Sequence, residues 1–177
     1  MPNYIRAFVP GGTFFFTVNL LERRRRLLTD YIDDLRIVFT DAHRRRPFTI
    51  DAILVLPDHL HAVWTLPSGD SDFSTRWHDI YLDRGGTVLG TDSERRGAFK
   101  ASHTERGIWQ RRFWEHGICD EDDLQRYIDY VHYNLIKHGH VLRLIDWPYS
   151  SFHRDVKTGL YPPYWVADDV VKGLALE

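Results

Sequence analysis

FTIDAILVLPDHLHAVWTL, residues 48–66, is the most apolar stretch of the chain, and it carries two histidines one residue apart. Its two halves are rich in the branched and aromatic residues that suit a half-buried pleated surface, and Pro57-Asp58 between them is a turn signal. The stretch therefore predicts a β-hairpin at the centre of a sheet. In an extended strand residues i and i+2 share a face, so His59 and His61 project side by side. Two readings of the pair are open. One histidine is a hydrogen-bonded core residue and the other lies at the surface, or the two hold a metal, since imidazole is the commonest side-chain ligand and same-face neighbours converge without backbone strain. The metal reading needs a third ligand and a chemical partner elsewhere in the chain.

Outward from the hairpin the elements alternate. GGTFFFTVNL (11–20) reads as a strand after a glycine turn. Residues 30–46 read as a helix, with Leu35, Val38, Phe39 and Ala42 at helical spacing and Thr29 or Asp30 as its cap. SGDSDFSTRWHDIYL (68–82) opens on capping residues and predicts a short helix, and IWQRRFWEHGI (108–118) contains a further strand. Residues 83–107 are polar, glycine-containing and without sustained periodicity, which marks an insertion or loop. The last helix, 120–138, opens with Asp120, Glu121, Asp122 and Asp123 at the positive end of its dipole and closes on Lys137, His138 and the C-cap glycine Gly139. The order β-α-β-β-α-β-α predicts an α+β fold of the ferredoxin-like or split βαβ kind, an antiparallel central sheet with helices mainly on one face.

Composition bounds the function. A chain of 177 residues with 43% hydrophobic content supports one packed core, so residues 1–177 are expected to form one domain, with an insertion at 83–107 and a tail, 146–177, wrapped over the core. No apolar run reaches membrane-spanning length, and MPNYIRAFVPGG lacks the layout of a signal peptide, so a cytoplasmic protein is expected. The single cysteine, Cys119, excludes an internal disulfide and a zinc ribbon. The net charge of −2 argues against a generic polyanion binder, but residues 1–50 carry nine arginines against five carboxylates. Their runs RRRR (23–26) and RRR (44–46) either grip phosphates or are solvated helix ends.

The last helix holds the missing partners. Leu124, Ile128, Val131 and Leu135 follow the spacing of a buried stripe. Tyr130 and Asn134, four residues apart, share a face at the border of that stripe. Taken alone they read as an amphipathic border tyrosine and a solvated asparagine. Taken with the histidines they complete a chemistry: two imidazoles and an amide oxygen hold a divalent metal with positions open to phosphate oxygens, and a phenol one turn earlier reaches the phosphorus.

HLH (59–61) resembles the His-hydrophobic-His signature of the HUH endonucleases, and YIDYVHYNLIKHG (127–139) resembles the tyrosine helix of their single-tyrosine transposases. The whole ordered set GGTFFFTVNL, RPFTIDAILVLPDHLHAVWTLP, DFSTRW, IWQRRFWEH, DYVHYN, KHG and DWPYSSFHRDV is similar to the REP-associated tyrosine transposases and covers nearly the whole chain except 83–107. The resemblance implies that His59 and His61 are metal ligands, Asn134 the third ligand and Tyr130 the nucleophile. It implies the HUH fold, a Mg²⁺ or Mn²⁺ cofactor, and single-stranded DNA beside a hairpin as substrate, cleaved to a 5′-phosphotyrosyl link and a free 3′-OH. Where members of the family commonly carry Asn-Pro, this chain has Asn134-Leu135, which leaves the helix less interrupted.

Metal-dependent cleavage and rejoining of single-stranded DNA next to repetitive palindromic hairpins is thus the function expected, by a monomer or homodimer without membrane contact. Arg6, Arg76, Arg111, Arg112, Lys137 and His138 are the expected DNA contacts. Trp109, Phe113 and Trp114 around the arginine pair are either stacking faces for unpaired bases or core. Two other classes remain open: a non-catalytic hairpin DNA-binding protein of the same fold, and a small metallohydrolase using His59, His61 and a carboxylate such as Asp58.

Overall fold

The fold is described from a computed structural model, which covers residues 9–82 and 108–174. The expected insertion at 83–107 and Arg6 lie outside the described residues. The elements run β1 (Thr13–Asn19), α1 (Leu27–Asp30), α2 (Ile32–Arg45), β2 (Thr49–Val55), β3 (His59–Thr65), α3 (Phe73–Leu82), β4 (Trp114–Gly117), α4 (Glu121–Lys137), a short 3-10 turn (Leu144–Asp146), α5 (Phe152–Lys157) and α6 (Asp169–Lys172). The strands make one antiparallel sheet in the order β2-β3-β1-β4. That order is what a β-α-β-β-α-β chain produces when both crossovers return over the same face.

β1 lies inside the sheet because its side chains are apolar on both faces. Phe14, Phe16 and Val18 point to one side, where Leu35, Val38 and Phe39 of α2 and Trp77 of α3 pack with Trp64. Phe15 points to the other side and joins Tyr127, Tyr130, Val131 and Leu135 of α4. The α+β class and the antiparallel sheet agree with the sequence reading. The two crossover helices share a face as expected, whereas α4 and the segments after it cover the opposite face with a second core. α2 corrects the sequence reading at its start. A separate turn of helix holds Leu27 and Leu28 buried, and the cap of α2 is Tyr31, with no side-chain hydrogen bond from it and none of the expected capping by Thr29 or Asp30.

α4 begins where its acids direct it: Asp120 caps the helix by accepting a hydrogen bond from the Asp123 N–H at 2.8 Å. It ends at Gly139, whose φ of +68° is the left-handed conformation that a C-terminal glycine supplies without strain. Leu135 keeps the helix unbroken to Lys137 and is itself buried in the second core. Beyond α4 the chain returns over this core with Phe152, Tyr161, Ala167 and Val171.

One buried polar contact fastens that return. His132 Nε2 and Asp155 Oδ2 lie 3.0 Å apart with both side chains out of solvent. Burial alone would raise the Asp155 pKa, but hydrogen bonds from His132 and Arg154 outweigh it and hold the carboxyl below its usual range. Asp155 therefore adds stability above the unfolded carboxylate pKa, and this is lost as pH falls through the lower folded value. Asp155→Asn is expected to lower stability at neutral pH by about 1–3 kcal/mol, because a charged hydrogen-bonded acceptor is lost inside the protein. Urea denaturation of the two proteins measures it, and equal midpoints would show that the pair contributes nothing.

Candidate active site

The site is built on the face of the sheet that α4 covers. Register pairs His61 of β3 with Thr17 of β1 and Leu54 of β2, and His59 with Asn19, so both imidazoles rise from the middle of the sheet. Their ring centroids are 5.0 Å apart and the planes nearly perpendicular, at 87°. Each ring is held by its Nδ1: His59 donates to Asp58 Oδ1 at 2.7 Å, and His61 shares a 2.9 Å hydrogen bond with Thr17 Oγ1. Asp58 is fixed in turn by Arg23 Nε at 2.8 Å. The Asp58 carboxyl is kept below its usual range: burial raises it, and His59 and Arg23 together lower it further than burial lifts it.

What remains on each ring is a buried Nε2: that of His59 meets no hydrogen-bond partner among the described residues, and that of His61 meets the Asn134 side chain. Burial pushes both imidazoles down, His61 well down, and on His59 it outweighs the opposing pull of the Asp58 carboxylate, so both rings stand neutral at neutral pH; His59, which donates from Nδ1, carries its lone pair on Nε2. Leaving such an atom unsatisfied costs about 1–3 kcal/mol. The Asn134 amide of α4 lies beside His61 and favours its protonated form. A ring held at one nitrogen by a carboxylate or hydroxyl, with the other nitrogen bare, is the arrangement of a metal-ligating histidine.

Tyr130, one turn before Asn134, sets its ring centroid 5.7 Å from that of His61 and 5.8 Å from that of Phe15. Lys137 brings its ammonium to 5.5 Å from the Tyr130 ring and donates to the Leu174 carbonyl. Sequence spacing put Tyr130 and Asn134 at the border of a stripe of Leu124, Ile128, Val131 and Leu135, of which Val131 and Leu135 are buried as expected. The structure buries Tyr130 and Asn134 fully and leaves Leu124 and Ile128 only partly covered, because α4 packs between the sheet and the returning chain rather than against one surface.

Of the expected DNA contacts, Arg111, Arg112 and Lys137 are exposed, and His138 is half-buried with its ring 5.1 Å from that of His59. Arg76 is a correction. Its side chain is 3% exposed, and its guanidinium donates to the carbonyls of Arg46, Pro47 and Asp72 and to Asp70, so it ties α3 to the end of α2 instead of facing DNA. The aromatic cluster divides: Trp109 and Phe113 are core, and Trp114 is exposed. Thr17, Asp58 and Arg23 were not expected in these roles. Only Asp58, adjacent to His59, left a signal in the sequence.

A second convergence of ligand types lies at the start of α4, where His116, Cys119 and Asp123 bring one atom each within 4.8 Å of one another. There Asp123 Oδ2 already accepts from His116 Nε2 at 2.9 Å and from the Cys119 N–H at 3.1 Å. The group closes a capping turn on itself, unlike the Nε2 atoms of His59 and His61.

No family model matches the chain. Two curated proteins do. A REP-associated tyrosine transposase of Escherichia coli (strain K12) is 45% identical over 95% of this chain and 93% of its own length. A putative REP-associated tyrosine transposase of Haemophilus influenzae is 44% identical over 93% of each. Among solved structures, a REP-associated tyrosine transposase bound to a REP hairpin superposes with a TM-score of 0.78 at 45% identity, covering 95% of this chain and 93% of that one.

Proposed function

The chain belongs to the REP-associated tyrosine transposases, and from that premise we propose that it cuts and rejoins single-stranded DNA beside a repetitive palindromic hairpin through a 5′-phosphotyrosyl intermediate on Tyr130. His59, His61 and Asn134 would hold a divalent cation, Mg²⁺ or Mn²⁺. The observation that carries the reading is the pair of buried Nε2 atoms, on rings fixed from behind by Asp58 and Thr17, that converge beside the Asn134 amide. Two neutral imidazoles beside an amide suit such an ion, with nitrogen ligation favouring Mn²⁺ in affinity. When bound, the cation supplies Lewis-acid polarisation of the scissile phosphate and fixes its orientation.

The protein's own part is positioning. α4 sets the Tyr130 ring 5.7 Å from that of His61, so a phosphate held at the imidazoles would stand within reach of the phenol. Attack forms the Oη–phosphorus bond and breaks the bond to O3′; the phenol gives up its proton and the departing O3′ takes one up. The phosphotyrosyl link keeps the energy of the phosphodiester, so attack by a 3′-OH reverses the step without ATP. Lys137, whose ammonium lies near Tyr130, and the exposed Arg111 and Arg112 place positive charge where the backbone of the strand would run.

A labelled REP hairpin oligonucleotide with single-stranded flanks, incubated with Mn²⁺ and resolved under denaturing conditions, tests the reaction. A covalent protein–DNA adduct is expected. Tight binding without an adduct would favour the non-catalytic binder, and neither binding nor adduct would leave the metallohydrolase.

Asp58 gives a separate check on the metal. Asp58→Asn keeps the shape and weakens the acceptor that orients His59, so Mn²⁺ affinity is expected to fall by about 10- to 100-fold. Calorimetric titration of Mn²⁺ into the DNA-free protein reads this directly. An unchanged dissociation constant would remove Asp58, and with it His59, from the site.

A further inference from the structure

We infer that Trp114 is the stacking platform for an unpaired base adjoining the scissile phosphate, a binding role that rests on the reaction proposed above. Trp114 opens β4, the edge strand, and pairs across β1 with Thr17, whose hydroxyl holds His61. Cross-strand partners share a face, so Trp114, Thr17 and His61 stand in a row across the sheet on the side that α4 covers. Phe15 links the two ends of the row. Its ring centroid is 5.5 Å from Trp114, 5.7 Å from His61 and 5.8 Å from Tyr130.

Exposure separates Trp114 from the other aromatic side chains of this region. It is 39% exposed, whereas Phe15, Trp109, Phe113 and Tyr127 are buried. Its indole is also backed rather than loose, with an edge contact to Phe15 and a ring plane within 7° of that of His116. His116 in turn stacks on Tyr127 at 4.5 Å and is held by Asp123 at 2.9 Å. A large aromatic face, fixed from behind and open in front, beside a phosphate-cutting centre and next in sequence to the exposed cations Arg111 and Arg112, has the composition of a single-strand binding surface. The ligand is a nucleobase of either ring size, because stacking reads the π-face rather than the hydrogen-bonding edge. The base belongs to the strand outside the hairpin, since a base within a duplex has no free face to offer.

The test is a binding cycle in excess chelator, with the REP hairpin oligonucleotide carrying single-stranded flanks, the same hairpin without flanks, and a series in which one flanking base at a time is replaced by an abasic sugar. Trp114→Ala is expected to weaken the flanked oligonucleotide about 5- to 150-fold, the loss of one stacked base, and to leave the flankless hairpin unchanged. One abasic position should cost the unaltered protein that same factor and cost Trp114→Ala nothing more, and Trp114→Phe should recover most of the affinity. Equal abasic penalties in both proteins, undiminished binding by Trp114→Ala, or equal weakening with and without flanks would overturn the assignment. Adduct formation by the unaltered protein with Mn²⁺ is scored alongside: with an adduct present, a failed cycle counts against Trp114 alone, and a missing adduct counts against the reaction itself.

Discussion

Tyr130→Phe is expected to abolish the covalent protein–DNA adduct, a loss on the order of 10⁴-fold or more, as for removal of a nucleophile that nothing else replaces. The substitution deletes one oxygen and keeps the ring that packs on Phe15 and His61, so folding and hairpin affinity should persist. Its neighbours supply the control. Tyr127 stacks on His116 of β4, ring centroids 4.5 Å apart, toward the edge of the sheet and away from the histidine pair. Tyr133 lies on the other flank of α4 from Tyr127, only partly buried. Tyr127→Phe and Tyr133→Phe should therefore keep the adduct. Peptide mapping of the phosphotyrosyl bond decides between the three, and a bond at Tyr127 or Tyr133 would refute the assignment.

The second large effect concerns the imidazoles. His61→Leu fills much the same volume with an apolar side chain and is expected to eliminate cleavage, as excess EDTA should for the unaltered protein. Its effect on stability should be small by comparison. Leucine removes a buried imidazole but strands the Thr17 hydroxyl that His61 Nδ1 holds, two opposing effects of about 1–3 kcal/mol each, so the metal-free variant should melt close to the metal-free parent. Added Mn²⁺ should raise the melting temperature of the parent by mass action and leave His61→Leu unmoved. Cleavage that continues undiminished in chelator, or equal Mn²⁺ stabilisation of both proteins, would sink the metal assignment.

How much of this could be read beforehand follows from the range of each interaction. The hairpin and the shared face of His59 and His61 follow from period-two alternation within nineteen residues, and α4 differs from the expected 120–138 by one residue at each end, since its cap acids and its glycine are local signals. Thr17 was invisible because its bond to His61 spans 44 residues and depends on the register of β1 against β3. Arg76 looked like a cation for DNA because the carbonyls that absorb it, at Arg46 and Pro47, are brought to it only by the packing of α3 against α2. Tyr130 and Asn134 were placed at a helix border because a single stripe assumes a single partner surface, and α4 has two. The misplaced cap of α2 has a similar origin: Leu27 and Leu28 are drawn into the core, which overrides the capping preference of Thr29 and Asp30.

Phe15 lies within 6 Å of His61, Tyr127, Tyr130 and Trp114, ring centroid to ring centroid. At residue 15 itself, therefore, folding and turnover should fail together: a change of ring size there displaces His61, Tyr130 and Trp114 at once.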